Sequence, residues 1–203
     1  MDEKIDIRVK KTKRSLINAF IELANKKNIN LISVNEIVKM AELNRGTFYL
    51  HYENKEDFIK TISNEILDEF VMWIKRAQKI NSIKSEAFNS NKPKDTLYEM
   101  FNFVGENYKF FSAMLGENGS TVFRDKMQET IKNRVYKELM YSIKLEGKCV
   151  VDRDILFEFT SSSCMGLILY WLNNGRKESV EYMAEELTKI SVLGPIRALG
   201  IIK

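Results

Sequence analysis

The sequence predicts an all-α fold, an N-terminal three-helix domain followed by a C-terminal helical bundle. Only two prolines, Pro93 and Pro195, interrupt 203 residues, and an interior proline costs a helix about 3 kcal/mol. Apolar residues recur every three or four positions along most of the chain. No segment alternates apolar and polar residues as a half-buried strand would.

The first helix is expected over about Lys10–Lys27, where Leu16, Ile17, Phe20, Ile21, Leu23 and Ala24 share a face. Asn28–Leu31 reads as a short connection. Ser33 followed by Glu36 matches a capping box and opens a second helix with Val34, Ile37, Val38 and Ala41 inward. Leu43-Asn44 is a tight break, and the Asn44 side chain can cap a short third helix over 45–50. Asn54 and Asp57 then cap a long helix carrying Phe58, Ile62, Ile66, Phe70 and Trp73. Residues 80–95, polar and poorly periodic, read as a loop. Asp95 is expected to cap a helix through Leu97, Met100, Phe101 and Val104. An aromatic helix over Tyr108–Leu115 stops at Gly116. A long amphipathic helix is expected over 121–145, broken by Gly147. The next spans about Asp152–Asn174 and stops at Gly175. The last starts at Ser179 and ends near Leu193-Gly194-Pro195. The domain boundary falls between residues 55 and 56.

Bulk properties narrow the classes. The chain is 44% hydrophobic and 30% charged, as ordinary globular proteins are. No apolar run reaches the length of a membrane span. The opening MDEKIDIRVKKTKR lacks the apolar core of a signal peptide, which predicts a cytoplasmic protein. Cys149 and Cys164, the only two cysteines, are then expected as free thiols. The net charge of +4 is uneven: residues 1–60 hold 12 Lys+Arg against 9 Asp+Glu. Arg8, Lys10, Lys11, Lys13 and Arg14 concentrate that excess; such a run is often only a solvated face, and it can also neutralise phosphates.

The segment Asn44–Phe58 carries the functional signal. Three helices in about 55 residues, the last two joined by about three residues, match helix-turn-helix geometry. On the short third helix Phe48 and Tyr52 can anchor to a core. Arg45, Thr47, Tyr49, His51 and Lys55 offer donors to phosphates or base edges, and Gly46 allows close approach.

This segment resembles the TetR/AcrR family of bacterial regulators. The likeness rests on Gly46-Thr-Phe-Tyr, then His51-Tyr52, then Lys55-Glu-Asp-Phe58, after a first helix with Ala19-Phe20 and Leu23. It covers Thr12 to about Phe58. It implies that the helix from Ser33 supports and the helix from Asn44 reads. Phosphate contacts would fall on Ser33, Thr47, Tyr49, His51 and Lys55, and base contacts on Asn44, Arg45 and Gly46. Asn44 departs from the commoner small hydroxyl residue there. Further on, Gly166-Leu-Ile-Leu-Tyr-Trp-Leu-Asn-Asn-Gly175 followed by Ser179 resembles a C-terminal domain type common among Firmicutes members. It is similar too to relatives of the dihydroxyacetone-operon activator, whose partner is a protein.

The resemblance implies a homodimer acting on double-stranded operator DNA, a repressor with no cofactor. Its interface is expected on the last two helices, with Phe159, Ser163, Gly166 and Tyr170 on one and Val180, Met183, Leu187 and Ile190 on the other. An apolar small-molecule effector is expected between segment 95–115 and helices 121–145 and 152–174, against Phe70, Trp73, Met100, Phe101, Tyr108, Phe111 and Met127. A protein partner in place of that effector is the rival reading, and plain core packing is the bland one. An enzyme is disfavoured. One histidine and two distant cysteines match no metal spacing, no nucleophile has a plausible histidine base, and Gly116 with Gly119 form no phosphate loop.

Overall fold

The computed structural model describes residues 2–84, 92–137 and 151–198. Among them are nine α-helices and no strand: α1 (Asp2–Ala24), α2 (Val34–Met40), α3 (Arg45–Tyr49), α4 (Lys55–Lys84), α5 (Lys92–Glu106), α6 (Tyr108–Leu115), α7 (Thr121–Thr130), α8 (Arg153–Asn173) and α9 (Val180–Ala198). A 3₁₀ turn at Ile29–Leu31 fills the first connection. A π-helical segment, Ile131–Tyr136, continues α7.

Several boundaries differ from the sequence reading. Helix α1 begins at Asp2, because its charged first turns contain no proline or glycine to break a helix. Helices α4 and α5 take up much of 80–95. Polarity alone does not end a helix, and Pro93 lies in the first turn of α5, where its missing N–H is not needed. Asp95 is therefore a first-turn residue and not the cap. The expected helix over 121–145 is α7 plus the π segment; Leu139, Ile143, Gly147 and Cys149 lie outside the described residues. Helix α8 is long and apolar enough to cross a membrane by length and composition alone. Its Phe157, Cys164, Met165, Ile168, Trp171 and Leu172 are buried within the fold.

The chain divides into two compact units, Met1–Ile66 with Lys109–Phe123, and Leu67–Tyr108 with Arg124–Lys203. A single cut after residue 55 does not describe this division. The first turns of α4 bury Phe58 and Ile62 in the first unit, and Lys109–Phe123 joins them. There the Ile29 N–H donates to the Asn118 carbonyl at 3.0 Å, and Phe110, Phe111 and Phe123 stack 5.6–6.1 Å apart.

Helix α1 adds Leu16, Ala19, Phe20 and Ala24, which recur at helical spacing and are buried, and α2 adds Ile37 and Val38. Phe58 sits at its centre, with the rings of Phe20, Phe48 and Tyr52 at 5.5, 5.7 and 4.8 Å. The core of the second unit joins Phe70, Val71 and Ile74 of α4 to Met100, Phe101 and Val104 of α5, with Met127, Ile131 and Val135. Phe101 meets Trp171 of α8 edge-on at 5.6 Å. Gly105 permits that approach, since a Cβ there would come within 3.1 Å of the indole.

Candidate nucleic-acid interface

The supporting helix α2 begins as its sequence dictates. The Ser33 Oγ accepts from the Glu36 N–H at 3.3 Å, and the Glu36 carboxylate accepts the Ser33 N–H at 3.0 Å and its hydroxyl at 2.8 Å. Lys27 donates to the other Glu36 oxygen. That hydrogen bond, with those from Ser33, holds the Glu36 carboxyl at about 2. Ser33 is exposed, but its hydroxyl proton is committed to Glu36. The cation beside it is Lys27, which the sequence reading did not single out: nine residues and a turn separate the pair.

Helix α2 ends in a Schellman turn. The Leu43 N–H donates to the Val38 carbonyl at 2.8 Å and the Glu42 N–H to the Lys39 carbonyl at 3.2 Å, with Glu42 left-handed at φ 55°. That geometry usually takes glycine. The turn delivers Asn44 to the start of α3, where its Oδ1 accepts from the Thr47 N–H at 2.7 Å and the Thr47 hydroxyl at 2.9 Å. Asn44 is thus the N-cap of α3, and among the described residues its amide hydrogens have no acceptor. Thr47 has spent both its donors on Asn44.

The rest of α3 separates anchors from donors. Phe48 is fully buried and Tyr52 nearly so, whereas Arg45, Gly46 and Tyr49 are exposed. Burial pushes the Tyr52 hydroxyl up to about 12. An Arg45 Nη donates to the Tyr49 hydroxyl at 3.0 Å. Gly46 needs no left-handed backbone, and an added Cβ would meet only the Asn44 Oδ1, at 3.3 Å. His51 is half-buried, its ring 6.2 Å from that of Tyr52. Lys55 turns back onto the 3₁₀ turn, donating to the carbonyls of Asn30 at 2.9 Å and Ile29 at 3.4 Å. One of its three ammonium hydrogens then remains for another acceptor. Leu31 and Leu50 are strongly exposed beside these donors, at 71% and 82%. Arg8, Lys11 and Arg14 of α1 are exposed too, whereas Lys13 pairs with Glu65 at 3.3 Å.

The second unit distributes the remaining candidates differently from the sequence reading. Phe70, Met100, Phe101 and Met127 are fully buried as core. Trp73 donates its indole N–H to Glu99 at 2.6 Å, and the Tyr108 ring lies 3.7 Å beneath the Arg176 guanidinium. Phe111 belongs to the core of the first unit. The segment 95–115 is thus shared between two units and its aromatics form no single cluster. An open hollow of about 320 Å³ does occur, lined by residues of α5 and by the turn between α8 and α9. Its lining is largely polar, including Asn102, Glu106, Arg176, Glu178 and Ser179, and none of the seven predicted ligand residues contributes.

Helix α8 shows Phe159 and Tyr170 to solvent, at 56% and 52%, with Gly166 exposed between them and Ser163 half-buried. On α9, Val180 and Ile190 are half-buried. Met183 and Leu187 are buried within the second unit's own core, where α9 packs on α5. These two residues of the predicted stripe serve the protomer's own packing.

Two family models match. That for bacterial regulatory proteins of the tetR family matches residues 16–62, and a transcriptional-regulator C-terminal region model of the same family matches residues 91–192. Among curated proteins the chain is 24% identical over 173 residues to an uncharacterised HTH-type transcriptional regulator, YxbF, of Bacillus subtilis, covering 85% of this chain and 42% of that protein. The chain spans less than half the length of the curated relatives it matches. Two solved structures share its fold at 21% identity. One is a TetR transcriptional regulator of Streptococcus agalactiae, with a TM-score of 0.66 over 94% of this chain and 98% of that one. The other is the fatty acid degradation regulator FadR of Bacillus halodurans, with a TM-score of 0.72 over 92% and 96%.

Proposed function

The chain belongs to the TetR family of bacterial regulatory proteins, and we propose that it is a cytoplasmic homodimeric repressor that reads a palindromic operator. Members of this family are helix-turn-helix, DNA-binding transcription regulators and not enzymes. The observation that carries the reading is α3 itself. It is a capped five-residue helix whose buried Phe48 pins it to the core while Arg45, Gly46 and Tyr49 face solvent.

In this reading the Asn44 amide, Arg45 and the surface at Gly46 meet base edges. Tyr49, His51 and the remaining Lys55 hydrogen meet phosphates, and Thr47 joins them once its hydroxyl rotates off Asn44. At Ser33 the phosphate is met by Lys27 as much as by the hydroxyl. A second copy covers Phe159, Ser163, Gly166 and Tyr170. An effector that releases the operator does so only by binding the non-DNA state more tightly.

Salt-resolved electrophoretic binding tests this reading. The full chain should bind a selected duplex with affinity that falls steeply as salt rises. Lys55→Ala should weaken selected and scrambled duplexes alike and flatten the salt slope by about one. Equal wild-type affinity for selected and scrambled duplexes would defeat the operator reading.

A further inference from the structure

We propose that Tyr49 is a specificity-determining residue: it holds Arg45 in place before DNA arrives and ties a phosphate contact to base reading. This rests on the DNA-reading role of α3 and assigns within it a positioning function to a residue otherwise read as a phosphate contact.

The two side chains lie one helical turn apart on α3, where i and i+4 residues meet. The Arg45 guanidinium donates to the Tyr49 hydroxyl oxygen at 3.0 Å, with its carbon 5.6 Å from the ring centroid. Arg45 makes no other contact of either kind among the described residues. The Tyr49 ring is itself braced, meeting Phe48 edge-on at 5.5 Å and 85°, and Phe48 is wholly buried. A line of contacts therefore runs from the core through Phe48 and Tyr49 to the guanidinium.

Hydrogen-bond bookkeeping makes the arrangement useful. The Tyr49 oxygen is the acceptor, so its own proton stays available to a phosphate oxygen. Arg45 spends one of five donors, and the others can still meet a guanine O6 and N7. A long flexible side chain that is ordered beforehand loses less entropy when it binds a base. Tyr49 fixed to the backbone of DNA would thereby set the place from which Arg45 reads. If the contact is an incidental surface pair, it carries no such coupling.

The test is a double-mutant cycle on the full chain. It uses the duplex enriched from a random pool and a scrambled duplex of the same length. Arg45→Ala should lower the ratio of selected to scrambled affinity roughly ten- to hundredfold. Tyr49→Phe should weaken both duplexes and also lower that ratio, roughly three- to tenfold. In the Arg45→Ala background, Tyr49→Phe should weaken both duplexes equally and leave the ratio unmoved. An unchanged ratio in Tyr49→Phe alone, with Arg45→Ala still lowering it, overturns the positioning role and leaves DNA reading intact. The same ratio loss from Tyr49→Phe with and without Arg45 also overturns it. A wild-type chain that does not discriminate between the duplexes overturns the premise itself.

Discussion

Glu36 closes the Ser33 cap and accepts Lys27 at the start of α2, so its ionisation should be visible in solution. Its folded pKa, about 2, lies below its ordinary 4.5. The stabilisation is therefore complete above pH 4.5 and is lost as pH falls through about 2. A carboxyl-detected titration should place Glu36 well below its acidic neighbours, and Lys27→Met should raise it; an ordinary midpoint in the wild type would refute the network. Burial pushes the Cys164 thiol up to about 12, so alkylation of the folded chain should leave Cys164 unlabelled by peptide mapping. Labelling as fast as in denaturant would contradict its burial. Residue roles were legible where partners are close in sequence. Ser33 and Glu36 announce a box at three-residue spacing, and Asn44 announces a cap. Lys27 with Glu36 and Lys55 with Asn30 were not legible, because those pairs form only when a turn or another helix brings them together.

At the scale of elements, the chain's stops and starts follow local chemistry closely. Gly175 ends α8 in a left-handed turn at φ 70°, and Asp152 caps its start by accepting from the Asp154 and Ile155 N–H groups. The turn between α2 and α3 was readable as a break but not as a Schellman turn, since Glu42 occupies the position where glycine is usual. Glu42→Gly should therefore raise unfolding free energy by about 0.5–1 kcal/mol, measured by urea denaturation; a loss would contradict the strained turn. In Gly46→Ala the methyl would press on the Asn44 Oδ1 at 3.3 Å, which offsets the gain in helix propensity, so its unfolding midpoint should hardly move. Its affinity for the selected duplex should nevertheless fall if DNA approaches that surface. The extents of α4 and α5 were not legible, because polar residues at 80–95 weaken the periodic signal without opposing helix.

For the whole molecule, composition and periodicity sufficed for an all-α class, but not for the division into units. That division depends on Lys109–Phe123 joining the first core, a long-range event with no local sequence signature. The same limit moved Met183 and Leu187 from an expected interface into the protomer core. Periodicity identifies an apolar stripe but not what covers it. Phe159→Glu with Tyr170→Glu should therefore give a folded monomer by sedimentation velocity, with helical content retained. Met183→Glu should unfold the second unit. A soluble dimer from the first pair would rule out that face of α8.

The central claim is that two copies of α3 read DNA together. Selection from a random duplex pool with the full chain tests it directly. The account predicts a near-palindrome whose half-sites lie about 34–36 Å apart, or a multiple of that. Its enrichment should disappear when the pool is selected with Arg45→Ala. Enrichment of no sequence, or of a single asymmetric half-site indifferent to Arg45, would contradict it.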